Sequence, residues 1–66
     1  MHASAAFPYI PLGKVKTFGL LGPKYQIGQA LRQLQDGDWM VEINLVETGE
    51  TAEYRLSRLS EDPDAK

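Results

Sequence analysis

The sequence predicts a mostly β domain, a small antiparallel meander of three or four strands, and three observations support this. Polar and apolar residues alternate on both sides of Thr48-Gly49, as in a hairpin. Residues 14–18 also alternate before a glycine-rich turn, which predicts a further short strand. A chain of 66 residues has room for one domain.

Residues 39–56 are predicted to form the central hairpin, with Thr48 and Gly49 as the two central turn residues. This register places Glu42 opposite Arg55 as a cross-strand charge pair, which contributes about 0.2–1 kcal/mol. Since side chains alternate along a strand, the apolar residues share one face: Val41, Ile43, Leu45, Ala52, Tyr54 and Leu56. A slip by one residue would expose that whole set, so the pattern specifies which face is buried.

Residues 24–35 support two interpretations, of which the first is a helix. Ile27, Leu31 and Leu34 recur at the spacing of one helix face. A helix here gives the runner-up fold, an α+β domain with one helix on the sheet. Against it, the Asp-Gly pair at residues 36–37 is a strong hairpin-turn signal between strands.

The second interpretation of this segment is a strand, and it is the one we favour. Tyr25 and Ile27 then alternate toward the core, and Gly28 marks a bulge or bend. Leu34 pairs with Trp39 across the Asp-Gly turn. The interpretation makes the whole domain a β-meander.

The two ends of the chain are predicted to lie outside the domain, which spans residues 14–61. Residues 1–13 combine two prolines with small and apolar residues and form an extended or disordered arm. Residues 57–61 form one helical turn, with Leu59 closing one end of the core. Residues 62–66 form a polar tail.

The residue types argue against catalysis, and we expect neither an enzyme nor a cofactor. The chain has no cysteine and a single histidine, His2, so neither a thiolate metal site nor a histidine-dependent triad can be built. Two carboxylate pairs, Asp36 with Asp38 and Glu47 with Glu50, are explained by turn chemistry. We therefore assign no catalytic, cofactor-binding or metal-binding residue.

The hydropathy pattern predicts a protein of the cytoplasm that does not enter a membrane. No apolar run approaches the ~20 residues that span a bilayer. The N-terminal residues also lack the basic and apolar regions of a signal peptide.

The small size predicts a protein partner or a homo-oligomer, because a core of this size is marginal without disulfides or metals. The leading hypothesis is a small, self-associating protein-interaction module that pairs through an open sheet edge or through the arm. Trp39 either fills the core or anchors a contact, and Met40 and Val46 are apolar residues on the nominally polar face. The candidate interaction residues are Phe7, Tyr9, Trp39, Met40 and Val46.

The charges are segregated along the chain, although the net charge is only −2. All nine acidic residues lie in residues 36–66, and residues 1–35 carry only cations. The halves either neutralise each other within the fold, or the basic part meets a neighbour's acids or phosphate. The last case gives the alternative function, a nucleic-acid-associated accessory or regulatory protein. Its candidate phosphate contacts are Lys14, Lys16, Lys24 and Arg32.

Several short blocks in order carry a resemblance to known proteins. The blocks are Gly37-Asp38-Trp39 with Val41 and Ile43, Glu47-Thr48-Gly49-Glu50, Glu53-Tyr54-Arg55 with Ser57, and Asp62-Pro63 before Ala65. Over residues 14–65 the chain resembles small single-domain bacterial proteins of a family of unknown function. The resemblance implies a turn-like segment at residues 28–32 and no activity, cofactor or site residue. The short strands and the helical turn are also similar to an SH3-like partial barrel.

Overall fold

The structure, a computed structural model, describes residues 8–65. Its elements are β1 (Val15–Thr17), β2 (Lys24–Gln33), β3 (Trp39–Leu45), β4 (Thr51–Arg55) and α1 (Leu56–Leu59). The strands form one open antiparallel sheet in the order β1-β2-β3-β4, so the predicted mostly β meander is confirmed. No helix within the described residues is long and apolar enough to cross a membrane.

Residues 24–33 form strand β2, so the helix alternative for residues 24–35 is wrong. Tyr25 and Ile27 are both buried on one face, as the strand interpretation requires. The register with β3 shifts between Ile27 and Ala30 and again between Ala30 and Arg32, which agrees with the bulge predicted at Gly28. Each irregularity interrupts the alternation of side chains along the strand. The apolar residues Ile27, Leu31 and Leu34 consequently have a spacing that resembles one face of a helix.

The β3–β4 hairpin has the predicted faces but not the predicted pairs. Glu42 faces Glu53, whereas Arg55 faces Met40. The predicted Glu42–Arg55 pair is therefore wrong, and the strands are shifted by two residues relative to that register. A shift by two residues keeps every side chain on its face, so the apolar set still points toward the core.

The loop of this hairpin explains the shift. The Leu45 N–H donates to the Glu50 carbonyl at 2.8 Å, and the Gly49 N–H donates to the Leu45 carbonyl at 2.7 Å. The loop therefore spans residues 46–49, and Thr48-Gly49 is not a two-residue turn. A two-residue type I′ turn needs positive φ at both central residues, which is costly for a β-branched threonine. The longer loop needs positive φ only at Gly49, where it is 78°.

The β2–β3 turn also differs from its prediction. The Leu34 N–H donates to the Asp38 carbonyl at 2.7 Å, and Gln33 faces Trp39. The predicted Leu34–Trp39 pair is therefore wrong by one residue. The connection is a three-residue loop that ends with Gly37 at a φ of 91°, as in a type I turn followed by a left-handed residue.

One face of the sheet carries the core. Its fully buried side chains are Tyr25, Ile27, Val41, Ile43 and Leu59. Leu59 belongs to α1 and closes the core, as predicted from its spacing after β4. Around this cluster pack the partly buried residues Ile10, Phe18, Leu45, Ala52, Tyr54 and Leu56.

Both ends of the described chain contact the domain. Ile10 of the arm packs against the core, whereas Tyr9 beside it is exposed. Residues 62–65, which the sequence analysis assigned to the polar tail, lie along β1. The Thr17 N–H donates to the Pro63 carbonyl at 3.1 Å, and the Ala65 N–H donates to the Val15 carbonyl at 2.9 Å. Backbone hydrogen bonds therefore hold this segment against the first strand.

The burial difference between two leucines gives a test of the fold. Leu59 is 1% exposed and Leu21 is 99% exposed. We expect Leu59→Ala to lower the free energy of unfolding by about 2–5 kcal/mol, because it removes a core side chain and leaves a cavity. Leu21→Ala is the matched control and should stay within about 0.5 kcal/mol of the parent. Urea unfolding followed by Trp39 fluorescence measures both, and equal losses would contradict the packing described here.

Candidate protein-binding surface

Two loops lie side by side at one end of the sheet. Because all neighbouring strands are antiparallel, the β1–β2 and β3–β4 connections emerge at the same end. The Val46 N–H donates to the Lys24 carbonyl at 3.1 Å and links the two connections. We call this surface, formed by residues 18–24 and 46–50, the loop end.

Hydrogen bonds and one close approach hold the β1–β2 loop. The Phe18 N–H donates to the Pro23 carbonyl at 3.1 Å and closes the loop at its base. The Gly19 N–H donates to Oδ1 of Asp62 at 3.2 Å. A Cβ on Gly22 would lie 2.0 Å from the Phe18 carbonyl oxygen, so only glycine fits there. The loop is therefore ordered before any partner binds.

The tip of this ordered loop is apolar. Leu20 is 87% exposed and Leu21 is 99% exposed, and Val46 on the adjacent loop is 53% exposed. Single exposed apolar residues are common on protein surfaces, but clusters of them mark contact sites. Leu20 and Leu21, adjacent at the tip of one hydrogen-bonded loop, form a small apolar patch of this kind, and Val46 lies on the neighbouring loop.

A groove of about 280 Å³ lies next to Leu20. It runs between the β1–β2 loop and the C-terminal segment, and its lining residues are Thr17, Leu20, Lys24, Pro63, Asp64 and Ala65. The lining includes one cation and one carboxylate. The Asp64 carboxylate also lies 3.3 Å from Nζ of Lys14.

Asp62 connects the loop end to the core. Its Oδ2 accepts hydrogen bonds from the hydroxyls of Tyr25 at 2.7 Å and Tyr54 at 3.0 Å, while its Oδ1 accepts the Gly19 N–H. Burial acts to raise the pKa of Asp62, but these donors and the charge of Lys16 outweigh burial and lower it. Burial, followed by the hydrogen bond to the carboxylate, raises the pKa of both tyrosines.

Three aromatic rings pack at the base of the loop. The ring centroids of Phe18 and Tyr25 lie 4.5 Å apart, those of Phe18 and Tyr54 5.1 Å, and those of Tyr25 and Tyr54 5.5 Å. Edge-to-face and tilted pairs at such distances add about 0.5–1.5 kcal/mol each beyond their burial. Phe18, which begins the loop, is thus packed against Tyr25 of β2 and Tyr54 of β4.

Lys16 is a buried cation with a structural role. It is 8% exposed, and its Nζ donates to the carbonyls of Leu59 at 2.7 Å and Asp62 at 3.0 Å. These carbonyls lie at and beyond the end of α1, where backbone acceptors lack partners within the helix. The Leu59 carbonyl also accepts the Asp62 N–H at 3.2 Å, and Lys16 adds a second donor to it and a donor to the Asp62 carbonyl.

The five candidate interaction residues do not form one surface. Val46 lies in the loop end, and Tyr9 is 83% exposed in the arm. Trp39 and Met40 are half-buried at the start of β3, which is the opposite end of that strand. Phe7 lies outside the described residues.

The sequence analysis missed the two leucines at the tip of the β1–β2 loop. A signal for them exists, because Leu20 and Leu21 lie between Gly19 and Gly22 in a predicted turn. Large apolar side chains in a tight turn have little opportunity to reach the core.

The four candidate phosphate contacts are also dispersed. Lys16 is buried, Lys14 pairs with Asp64, and Nη2 of Arg32 lies 2.9 Å from Oε1 of Glu53. Lys24 belongs to the loop end, eight residues before Arg32 on the same strand. At about 3.3 Å per residue the two are roughly 26 Å apart. The structure therefore brings no basic patch together from these four residues.

The carboxylates of the β2–β3 turn bind residues of this chain. Nη1 of Arg55 lies 2.8 Å from Oδ2 of Asp36 and 3.3 Å from Oδ2 of Asp38, and the Ser57 hydroxyl donates to Asp38 at 2.6 Å. The hydrogen bond from Arg55 lowers the pKa of Asp36, and that from Ser57 lowers the pKa of Asp38. Among residues 8–65, no cluster of three or more potential metal ligands is present.

The molecule is thus a small open-sheet domain with an ordered apolar loop end. The chain belongs to DUF5397, a family of unknown function whose model matches residues 3–66. It is similar to an uncharacterized protein of Haemophilus influenzae, with 47% identity over 57 residues, which covers 86% of this chain and 90% of that protein. The resemblance to a small bacterial family of unknown function, drawn from the sequence blocks, is confirmed.

The hydrogen bonds of Asp62 predict an acid-dependent stability. Because its pKa is lower in the folded protein, its contribution is present above the ordinary value of 3.8 and is lost as the pH falls through the folded value below it. We expect Asp62→Asn to lower the free energy of unfolding near neutral pH by about 1–3 kcal/mol.

The Asp62→Asn variant should also lose less stability than the parent between pH 5 and pH 2, roughly the window in which carboxylates of lowered pKa take up protons. Urea unfolding across this pH range measures the difference. Glu47→Gln, at an exposed carboxylate of the β3–β4 loop away from Asp62, serves as the control. Parallel pH profiles for the parent and Asp62→Asn would contradict the assigned role.

Proposed function

We propose that the chain is a small, non-catalytic protein-interaction module of the cytoplasm that binds another protein chain through the loop end. The observation that supports the proposal is the exposure of Leu20 and Leu21, 87% and 99%, at the tip of a hydrogen-bonded loop. Binding interfaces need a central buried anchor, aromatic or aliphatic, that is held on a rigid support and enters a pocket of the partner.

The energetics favour the leucines as anchors. Full burial of one leucine side chain contributes about 1.5–3 kcal/mol. Ordering a loop on binding subtracts from this gain, by about 0.5–1.5 kcal/mol for each side chain that is immobilised. The β1–β2 loop is already held by the hydrogen bonds to the Asp62 carboxylate and the Pro23 carbonyl, and Gly22 packs closely against the Phe18 backbone. Folding has therefore ordered its backbone before contact.

The test compares two variants of the tagged protein, recovered from its host under gentle conditions. Leu20→Asp with Leu21→Asp places two charges at the tip of the loop. Leu12→Asp is the control, because Leu12 is also exposed but lies in the arm. We expect the parent and the control to retain a companion protein that the double variant loses, with or without nuclease.

Three other outcomes would count against the proposal. Equal recovery by all three proteins would exclude the loop end. Loss in Leu12→Asp alone would move the contact to the arm. Companions that disappear after nuclease treatment would instead favour binding to nucleic acid, with a steep dependence on salt.

A further inference from the structure

We infer that the outer edge of strand β1 is a binding site for an extended acidic segment of a partner protein. Residues 63–65 of the chain itself lie along this edge in the structure, and we call them the edge segment. The edge segment acts as an autoinhibitory contact that the partner displaces. The inference goes beyond the proposed function, because it concerns the edge of the sheet and not the tip of the β1–β2 loop.

The edge segment is held as an added antiparallel strand would be. The Thr17 N–H donates to the Pro63 carbonyl at 3.1 Å, and the Ala65 N–H donates to the Val15 carbonyl at 2.9 Å. An antiparallel bridge lies between these two bonds. Strand addition of this kind uses main-chain hydrogen bonds for affinity and side-chain pockets for specificity. The structure therefore shows which kind of ligand covers the edge of β1.

The charges at this edge favour an acidic ligand. Cations stand at Lys14 and Lys16, and Nζ of Lys14 lies 3.3 Å from Oδ2 of Asp64 in the edge segment. The side chains of Lys14 and Asp64 are 51% and 58% exposed, so water and other solutes reach the pair. A carboxylate of another chain can consequently replace Asp64 at Lys14 and keep the charges matched.

The edge segment is an incomplete strand because of its proline. The backbone groups of alternate residues along β1 point outward, and those of Thr17 face Pro63. Pro63 accepts a hydrogen bond from the Thr17 N–H, but it has no N–H to donate to the Thr17 carbonyl in return. A partner residue other than proline at this place supplies the donor. A competing segment can therefore form a backbone hydrogen bond that the edge segment cannot form.

The groove beside the edge segment is a second imperfection of this contact. Space of about 280 Å³ lies between the segment and the β1–β2 loop, and both Ala65 and Leu20 line it. An apolar cavity of about 150 Å³ is enough to bind a benzene molecule. A large apolar side chain at the place of Ala65 would therefore enter the groove and contact Leu20. The expected partner segment has a carboxylate at the place of Asp64, followed by such an apolar residue.

A labelled synthetic peptide tests the site on the full chain. The peptide has the sequence of residues 60–66 with Pro63→Val and Ala65→Leu, which supply the missing N–H and the larger side chain. The tethered edge segment competes at an effective concentration on the order of millimolar, so the parent should bind the peptide weakly. Asp64→Lys in the protein breaks the ion pair with Lys14 and loosens the edge segment. We expect this variant to bind the peptide at least ~10-fold more tightly in fluorescence anisotropy.

Two controls match this comparison. Glu61→Lys makes the same charge change at an exposed residue before the edge segment, and it should bind the peptide as the parent does. A second peptide carries Asp64→Lys in addition to the two other changes. It should bind the Asp64→Lys protein at least ~10-fold more weakly than the first peptide, because a cation then approaches Lys14.

Amide resonances of the isotope-labelled parent give a second measurement that does not depend on the folding of a variant. Excess peptide should release the Ala65 N–H from the Val15 carbonyl, so the Ala65 amide should lose its protection against hydrogen exchange. The Thr17 amide should stay protected, because a carbonyl of the peptide replaces that of Pro63 as its acceptor. Unchanged protection of Ala65 in the presence of excess peptide would overturn the inference.

Three further outcomes would also overturn it. Equal affinity of the parent and the Asp64→Lys protein for the peptide would show that the edge segment does not compete. Changes confined to the amides of residues 51–55 would move strand addition to the edge of β4. A dimer of the Asp64→Lys protein, seen in sedimentation without peptide, would assign the edge to a second copy. The double variant at Leu20 and Leu21 tests the proposed function separately from all of these.

Discussion

The carboxylate of Asp62 is the interaction on which the arrangement of this small chain depends. The carboxylate joins the β1–β2 loop, strand β2 and strand β4 through Gly19, Tyr25 and Tyr54. The backbone carbonyl of Asp62 also accepts a hydrogen bond from the buried ammonium of Lys16. A core of this size rarely supplies more than about 3–5 kcal/mol. Loss of the hydrogen bonds to this partly exposed carboxylate is expected to cost about 1–3 kcal/mol, which is a large part of that total.

The same contacts explain why the apolar core can be so small. α1 is a single turn, and its buried side chain Leu59 covers the sheet only if the segment after it is held in place. Lys16 binds the carbonyls at the end of the turn, and Asp62 binds the tyrosines below it. The ammonium of Lys16 replaces hydrogen bonds to water with hydrogen bonds to two carbonyl oxygens. A buried cation needs such replacements, because burial without them is costly.

The faces of the strands could be predicted from the sequence, but the pairings could not. Alternation of side chains has a period of two, so the apolar pattern of β3 and β4 is compatible with every register that differs by two residues. Loop geometry selects among those registers. Thr48 avoids positive φ, which lengthens the loop and moves Arg55 from Glu42 to Met40. In β2 the bulges break the alternation itself, so its sequence pattern fits a helix nearly as well as a strand.

The candidate surface was predictable to a lesser extent, because its residues depend on long-range contacts. Val46 could be selected by its position on the polar face of a strand pattern. Leu20 and Leu21 could have been selected as leucines in a turn. Asp62, by contrast, precedes a proline in an acidic segment, where a turn or tail is the ordinary interpretation. Its role arises from Gly19 and Tyr25, more than 35 residues earlier.

Asp62 stabilises the core and also positions the loop end, so the stability of the fold and the order of this surface depend on the same residue. Gly19 immediately precedes the exposed leucines, and its N–H is bound to the same carboxylate as Tyr25 and Tyr54. A change that loosens the carboxylate would therefore weaken packing and, in the same step, release the loop that presents Leu20 and Leu21. Restoring order on contact would then reduce the affinity for any partner. In a chain with so few buried side chains, stability and recognition share one set of hydrogen bonds.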